Sequence, residues 1–140
     1  MTKNEKLFMK ECDDEIQKLW KPKVGDVIYD KNYDEIGSVY AINEIDKDCK
    51  ILNVSWLDGN GLSDFTPDEN TIWLPSLSQI IEMIEKRHSG KWDIHRVIEE
   101  KNTDYLMKIW SGDYVNFFTE GATPDLCAII ALKQVIKGER

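Results

Sequence analysis

The sequence is poor in the residues from which disulfide frameworks and metal sites are built. Its 140 residues include three cysteines and two histidines, and no apolar run is long enough for a membrane span or a secretory signal. Cys12, Cys49 and Cys127 are an odd number of widely spaced thiols, which fits neither a disulfide framework nor paired Cys-x-x-Cys ligands. We therefore expect reduced thiols, no metal, no cofactor and a cytoplasmic location.

Positive charge is also scarce. Asp and Glu outnumber Lys and Arg by 26 to 18, so the net charge of −8 repels phosphate backbones and anionic membranes. We expect neither direct nucleic-acid binding nor membrane association. Residues 58–74 contain no Lys or Arg but four acids, Asp58, Asp64, Asp68 and Glu69. This stretch is interpreted as a solvated connector, with an acidic docking strip for a basic partner as the alternative.

The first two segments differ in their hydrophobic period. Apolar residues at helical spacing, and a capping-box pair at Thr2 and Glu5, predict an N-terminal helix over residues 1–20, which Pro22 prevents from continuing. Residues 21–74 then change to short β-branched runs separated by turn residues, which predict a small β-barrel followed by the acidic connector. Its predicted strands are residues 24–29, 36–45 and 51–57.

Residues 75–140 predict a helix, three strands and a second helix. Ser76 or Ser78 is expected to cap the first helix, and Thr123 with Pro124 to begin the second. The predicted strands are 91–99, 104–110 and 113–119, with a tight hairpin at Ser111-Gly112. The fold class is therefore predicted to be α+β: an N-terminal helix, a small SH3-like β-barrel, and an α-β-β-β-α sandwich.

Alternation in the last three strands predicts two apolar sheet faces. Two covered faces are satisfied most simply by one helix on each face, which suits a monomer. If both helices instead cover the same face, the other face becomes an exposed patch and a symmetric homodimer is predicted. The residues of that patch are Leu106, Trp110, Tyr114 and Phe118.

Short sequence motifs in the chain resemble those of two groups of known proteins. The runs Val24-Gly25-Asp26-Val27, Ile36-Gly37-Ser38-Val39 and Val54-Ser55-Trp56-Leu57-Asp58-Gly59 are similar to SH3-like, Tudor-like or KOW-like barrels. In those folds a Gly-Asp pair begins the first strand, a second Gly allows a sharp bend, and an aromatic followed by Asp-Gly closes the third strand.

The whole chain resembles small proteins of unknown function encoded in phages and prophages of Gram-positive bacteria. The motifs are Trp20-Lys21-Pro22-Lys23-Val24-Gly25-Asp26, Trp73-Leu74-Pro75-Ser76-Leu77-Ser78-Gln79 and Ala122-Thr123-Pro124-Asp125-Leu126-Cys127-Ala128. The last motif is also similar to the phage α-β-α sandwich domain, which implies three layers for residues 75–138 and a location in the host cytoplasm. The resemblance brings no catalytic residues.

No local signature of catalysis is present. His88 and His95 lack nearby Cys-x-x-Cys or carboxylate partners and are interpreted as structural, with His88 at a helix C-terminus. Cys127, in the first turn of the last helix, has the position of an acidified thiol but an apolar flank, so we interpret it as a core residue. A non-enzymatic protein is predicted, with a cryptic enzyme or metal protein using these residues as an alternative.

The remaining candidate site is aromatic. Five aromatic residues could surround one end of the barrel, with Asp58 and Asp64 beside them, and bind a cation or peptide of a partner protein. The alternative is that Trp56 and Trp73 are packing residues that join the barrel to the sandwich. The five are Tyr29, Tyr33, Trp56, Phe65 and Trp73. The predicted function is protein–protein binding by a phage accessory protein, with an acidic, DNA-mimicking inhibitor of a host enzyme as the alternative.

Overall fold

The computed structural model of the chain describes residues 1–48, 50–99 and 102–138. The chain is a mixed α+β protein that divides into two units. We call Asp14–Pro75 the five-stranded unit, and Met1–Asp13 with Ser76–Arg140 the three-stranded unit. The helices are α1 (Lys3–Glu11), α2 (Asp14–Gln17), α3 (Leu77–Arg87) and α4 (Pro124–Gly138). The strands are β1 (Val27–Asp30), β2 (Glu35–Ile45), β3 (Ile51–Asp58), β4 (Gly61–Phe65), β5 (Thr71–Leu74), β6 (Trp92–Glu99), β7 (Asn102–Ser111) and β8 (Tyr114–Gly121).

The N-terminal helix predicted over residues 1–20 is two helices, α1 and α2. The capping box is confirmed, since the Glu5 backbone N–H donates to Thr2 Oγ1 at 3.1 Å and the Thr2 N–H donates to Glu5 Oε2 at 3.2 Å. α1 ends at Cys12, whose ψ of 56° is not helical. The helical period of the apolar residues continues across this break, so the period alone does not reveal it.

Two ion pairs lie at the end of α1. Lys133 Nζ on α4 lies 3.0 Å from Glu11 Oε2 and 2.7 Å from Asp13 Oδ2. These contacts hold the last residues of α1 against α4 within the three-stranded unit. α2, with its fully buried Ile16, belongs to the five-stranded unit instead. Residues 1–20 are therefore shared between two units rather than forming a helix of their own.

The five-stranded unit is an antiparallel sheet of order β4-β3-β2-β1-β5. The three strands predicted from the sequence correspond to β1, β2 and β3. Their inward residues form the core because side chains two residues apart share a face of the sheet. The buried core residues are Ile28, Val39, Val54 and Trp56, with Trp20, Ile42 and Phe65 packed against them.

Residues 58–74, interpreted from the sequence as a connector, contain β4 and β5. Four acids and no Lys or Arg give the stretch the composition of a solvated linker, and each strand has only four or five residues. β4 and β5 are the two edges of the sheet and are not paired with each other in the described part of the chain. The predicted closed barrel is therefore not confirmed, and the structure supports an open antiparallel sheet.

The three-stranded unit has the predicted order of helix, three strands and helix. β6, β7 and β8 form an antiparallel meander. Ser76 caps α3 with Gln79 as its capping-box partner, and Thr123 Oγ1 accepts the Leu126 N–H at the start of α4. No helix in the described ranges has both the length and the apolar character needed to cross a membrane.

The expectation of one helix on each sheet face is wrong for this unit. α4 packs on the face that carries Met107 and Ile109, both fully buried, and Thr119 Oγ1 on that face donates to the Cys127 carbonyl at 2.9 Å. α3 packs against α4, and its residues line a groove together with Trp92, which pairs with Ile109. Both helices therefore lie on the same side, giving two layers of sheet and helices rather than a three-layer sandwich.

The opposite face tolerates this arrangement because polar residues alternate with apolar ones across its strands. Asp93 is opposite Lys108, which is opposite Phe118, and Leu106 lies between His95 and Glu120. The alternation in the sequence identified the apolar residues of this face. Charged residues lie opposite them on the neighbouring strands and make the face compatible with water.

Candidate functional site

A cavity of about 560 Å³ lies at one end of the five-stranded unit. It is formed by the end of β1, the following turn, the β3–β4 hairpin and the chain after β4. Among the described residues, five acids and no Lys, Arg or His line it. The acids are Asp30, Glu35, Asp58, Asp64 and Asp68. A concave surface with charge of one sign concentrates the field, so this cavity attracts cations.

The cavity brings together five of the seven residues predicted as a partner-binding site. The five are Tyr33, Trp56, Phe65, Asp58 and Asp64. Tyr29 and Trp73 lie elsewhere in the same unit: Tyr29 Oη donates to Asp34 Oδ1 at 2.6 Å, and the Trp73 ring stacks on Trp20 with ring centroids 6.3 Å apart. The expected ring of five aromatics around one ligand therefore does not assemble.

The aromatic residues of the cavity have different exposures. Trp56 is only 3% exposed, stacks on Phe65 at a centroid distance of 5.0 Å, and donates from Nε1 to Ser63 Oγ at 3.0 Å. This pair forms part of a fixed wall, because both packing and a hydrogen bond hold the indole. Tyr33 is 73% exposed and stands at the solvent side. The cavity thus combines a rigid aromatic wall with one accessible ring.

Asp30 is the most unusual residue of the cavity. Its side chain is 1% exposed, and its Oδ1 accepts the Asn32 backbone N–H at 2.8 Å. Its Oδ2 is buried and has no hydrogen-bond partner among the described residues. Leaving a buried polar group unpaired costs on the order of 1–3 kcal/mol, and more for a charged group. Asp30 therefore carries an unused acceptor, and it is one of the residues that line the cavity.

Asp26 shows how this unit normally accommodates a buried carboxylate. It is 4% exposed, and its Oδ2 accepts both the Trp20 Nε1–H and the Lys23 backbone N–H at 2.9 Å. Both donors come from the segment that precedes β1. Asp30 Oδ2 is not alone in this respect, because Trp73 Nε1, which lies outside the cavity, is also buried without a partner among the described residues.

The acids at the rim are held by short-range hydrogen bonds. Asp64 Oδ1 accepts the Ser55 hydroxyl at 3.0 Å, and Asp58 Oδ1 accepts the Asn60 backbone N–H at 2.8 Å. Asp68 Oδ1 accepts the Asn70 backbone N–H at 2.8 Å in the same way. These bonds fix the carboxylates before any ligand arrives, which reduces the ordering cost of binding.

The sequence prediction missed Asp30, Glu35 and Asp68. A signal for Asp30 was available, since it follows Ile28 by two residues on β1 and must point to the same face as that buried side chain. Glu35 was hidden in a predicted turn, and Asp68 was counted only as part of the acidic connector. Their convergence on one cavity depends on β4, which was not predicted.

The residues considered for a cryptic enzyme have structural contacts. His88 Nε2 lies 2.7 Å from the Trp110 carbonyl oxygen, and His95 Nδ1 lies 3.2 Å from Asp93 Oδ1. Cys127 is fully buried and its Sγ donates to the Thr119 carbonyl at 3.2 Å; burial raises the pKa of its thiol. No three His, Cys, Asp or Glu side chains in the described ranges are arranged to hold a metal ion.

Cys12 is a second buried thiol. Burial, with the negative charge of Asp13 adding to it, raises the pKa of Cys12 to about 12. Cys49 lies outside the described residues. Neither described thiol has the accessible, low-pKa character of a nucleophile.

The uncovered face of the three-stranded sheet carries the patch named from the sequence. Tyr114 is 66% exposed and Phe118 is 62% exposed, whereas Leu106 and Trp110 are half-buried. Trp110 Nε1 donates to Asp93 Oδ2 at 3.3 Å, and Lys91 Nζ lies 4.6 Å from the centre of the Trp110 ring. The condition under which the sequence predicts a symmetric dimer is thus met, and the dimer itself stays a prediction.

The chain matches no protein-family model. No curated protein and no solved structure is significantly similar to it either.

Proposed function

We propose that the chain is a non-enzymatic, phage- or prophage-encoded accessory protein that binds another protein through the acidic cavity of the five-stranded unit. The observation that carries this proposal is the convergence of five acids, a fixed aromatic wall and the accessible Tyr33 ring on one cavity. Its partner presents basic groups, because the cavity contributes charge of one sign. The accessory role in a phage-infected host rests on the sequence resemblance.

The same proposal includes an SH3-like relationship for the five-stranded unit. Gly25, with a φ of +94°, precedes the buried Asp26, and Gly37 lies so close to Trp56 that a Cβ there would be 2.6 Å from the ring. These are the Gly-Asp start, the second glycine and the aromatic of the sequence resemblance. In this interpretation the barrel is opened between β4 and β5.

A DNA-mimicking inhibitor is the alternative partner class. Such a protein presents carboxylates in rows that match the phosphates of a duplex, with one phosphate per about 3.4 Å along each strand. Here Asp58 and Asp68 line one cavity and are tied to turn backbones, while Asp64 is tied to the Ser55 hydroxyl of the neighbouring strand. This geometry favours enclosing a basic side chain over imitating an extended anion.

Site-specific photo-crosslinking tests the proposal. A benzoylphenylalanine replaces Tyr33 in one protein and Tyr40, 62% exposed on β2 outside the cavity, in another. Each is irradiated in an extract of a Gram-positive host. We expect a discrete protein adduct from position 33 that is absent from position 40 and is lost when Asp58→Asn and Asp64→Asn are added.

Each other result counts against the proposal. Equal adducts at both positions, or an adduct that survives the two Asn substitutions, would show that the cavity does not select the partner. A position-33 adduct to a nucleic-acid enzyme that duplex DNA displaces would instead favour the DNA-mimic alternative.

A further inference from the structure

We infer that the cavity accepts an arginine side chain of the partner protein, with Asp30 Oδ2 as the buried acceptor for its guanidinium group. The inference rests on the proposed function and assigns the chemical group that the cavity recognises. It begins from Asp30, whose Oδ2 is buried without a partner among the described residues while its Oδ1 is already engaged by Asn32. A ligand that supplies an N–H donor at this position removes the cost of the unpaired oxygen.

The charge of the cavity requires the donor to be cationic. Five acidic residues line the space, and no Lys, Arg or His of the described residues lines it with them; the carboxylate of one of the five, Asp64, is bonded to Ser55 on the other face of the sheet. Asp58, which also lines the cavity, adds its attraction for a cation to that of Asp30. A neutral donor would satisfy one oxygen but leave the remaining charge uncompensated.

The distribution of acceptors distinguishes a guanidinium from other cations. A quaternary ammonium has no N–H to give to Asp30, and an ammonium carries its three donors on a single atom. A guanidinium presents five N–H donors in a plane, so it can serve a buried carboxylate on one side and a rim carboxylate on another. Its flat face also suits the wall formed by Trp56 and Phe65, which stack with an interplanar angle of 23°.

Small probes test this assignment directly. N-acetyl-arginine amide is titrated into the full chain and followed by the NMR signal of the Trp56 indole N–H, which reports on the cavity wall through its bond to Ser63. The matched probes are N-acetyl-citrulline amide, which is nearly isosteric but neutral, and N-acetyl-lysine amide. For a fragment this small we expect a dissociation constant on the order of 1 mM for arginine, no saturable shift with citrulline, and weaker binding of lysine.

Variants locate the contact within the cavity. Asp30→Asn keeps the shape of the side chain but removes its charge, and we expect it to weaken arginine binding by about tenfold or more. Asp58→Asn, at the rim of the cavity, weakens it less. Glu69→Gln makes the same change of charge at an exposed acid of the same segment that does not line the cavity, and it leaves binding unchanged. Retained NMR dispersion identifies the variants that remain folded.

Several outcomes overturn the inference. They are equal binding of arginine and citrulline, lysine binding as tight as arginine, displacement of arginine by Ca²⁺ at similar concentration, and undiminished binding in a folded Asp30→Asn protein. If Asp30→Asn does not fold, loss of binding in Asp58→Asn with none in Glu69→Gln decides the case. If the small-probe test fails but the crosslink specific to position 33 still forms, the assignment of a guanidinium ligand is rejected and the protein-binding proposal remains.

Discussion

The side chain of Gln17 forms hydrogen bonds with both the main-chain N–H and the main-chain carbonyl of Trp73. Gln17 Nε2 donates to the Trp73 carbonyl oxygen at 2.9 Å, and Gln17 Oε1 accepts the Trp73 N–H at 2.8 Å. The amide thus occupies the place that a neighbouring strand would take on β5, and it closes the edge of the sheet at that residue. An edge strand with its backbone groups satisfied is protected from pairing with other chains.

Gln17→Ala should destabilise the five-stranded unit. It leaves the Trp73 N–H and carbonyl without these partners next to a tryptophan that is 3% exposed, so we expect the free energy of unfolding to fall by about 1–3 kcal/mol. Urea denaturation measures the change. Lys18→Ala, at the exposed neighbouring position, is the control and should alter stability by less than about 0.5 kcal/mol. Equal midpoints for the two variants would contradict the role given to Gln17.

Gly37→Ala should disturb the wall of the cavity. An added Cβ would lie 2.6 Å from Trp56 Cε3 and 2.8 Å from the Leu57 carbonyl oxygen, so the indole or the strand must shift. We expect a loss of about 1–3 kcal/mol in stability, typical of overpacking, together with weaker crosslinking from position 33. Gly59→Ala is the matched control because the nearest atom to its Cβ is 3.9 Å away. A Gly37→Ala protein as stable as the control would show that this contact is not tight.

The buried thiol of Cys12 predicts a loss of stability at alkaline pH. Burial, then the charge of Asp13, raises the pKa of Cys12 to about 12 in the folded protein, whereas an unfolded thiol titrates near about 8.5. The folded state thus keeps a proton that the unfolded state releases. The stability that Cys12 contributes is complete below the pKa of the unfolded thiol and is lost as the pH rises toward 12. Over this range the free energy of unfolding falls by up to about 1.4 kcal/mol per pH unit.

Urea midpoints at about pH 8 and about pH 10 test this, with a Cys49→Ser background to remove the thiol outside the described residues. Cys12→Ala should reduce the alkaline loss of stability. Part of the loss should remain, because Lys133 also titrates: its partial burial opposes charging, but hydrogen bonds to Asp13 and Glu11 outweigh this and raise its pKa. An identical pH dependence with and without the Cys12 thiol would refute the assignment.

The uncovered sheet face predicts self-association. Both helices lie on the other face, and this one carries the exposed ring of Phe118 beside Lys108, with Glu120 two residues away on the same strand. A face with both charge signs and an apolar centre can pair with its own copy across a two-fold axis. We expect sedimentation velocity to show a dimer that Phe118→Glu converts to a monomer, while Ser78→Glu, exposed on α3 on the other side of the sheet, does not. A wild-type monomer would disprove this prediction.

Local patterns predicted most of the elements correctly. Thr2 with Glu5, and Ser76 with Gln79, have the spacing that lets a side chain satisfy free backbone N–H groups at a helix start, and both capping boxes form. Ser111-Gly112 likewise permits a tight connection, since Gly112 adopts a φ of +62° between β7 and β8. Such signals are read within a few residues, so they need no knowledge of the rest of the fold.

The missed features depend on distant partners. β4 and β5 have acidic surroundings and little apolar alternation, and they become strands by pairing with β3 and β1. Two of the seven predicted site residues, Tyr29 and Trp73, lie outside the cavity because strand register directs them elsewhere. The missed Asp30 belongs to it because β1 turns that carboxylate inward.

By itself, the amino-acid sequence determined the α+β class, the order of most elements, the helix caps and the segment where acidic charge accumulates. These follow from propensity, period and composition, which are local properties. The tertiary structure decided that both helices share one sheet face, that the sheet stays open, and that five acidic residues line one cavity, among them Asp30 with its unpaired oxygen. Those outcomes depend on packing and register between segments far apart in the chain, where small differences in buried area and hydrogen bonding select one arrangement among several with the same local pattern.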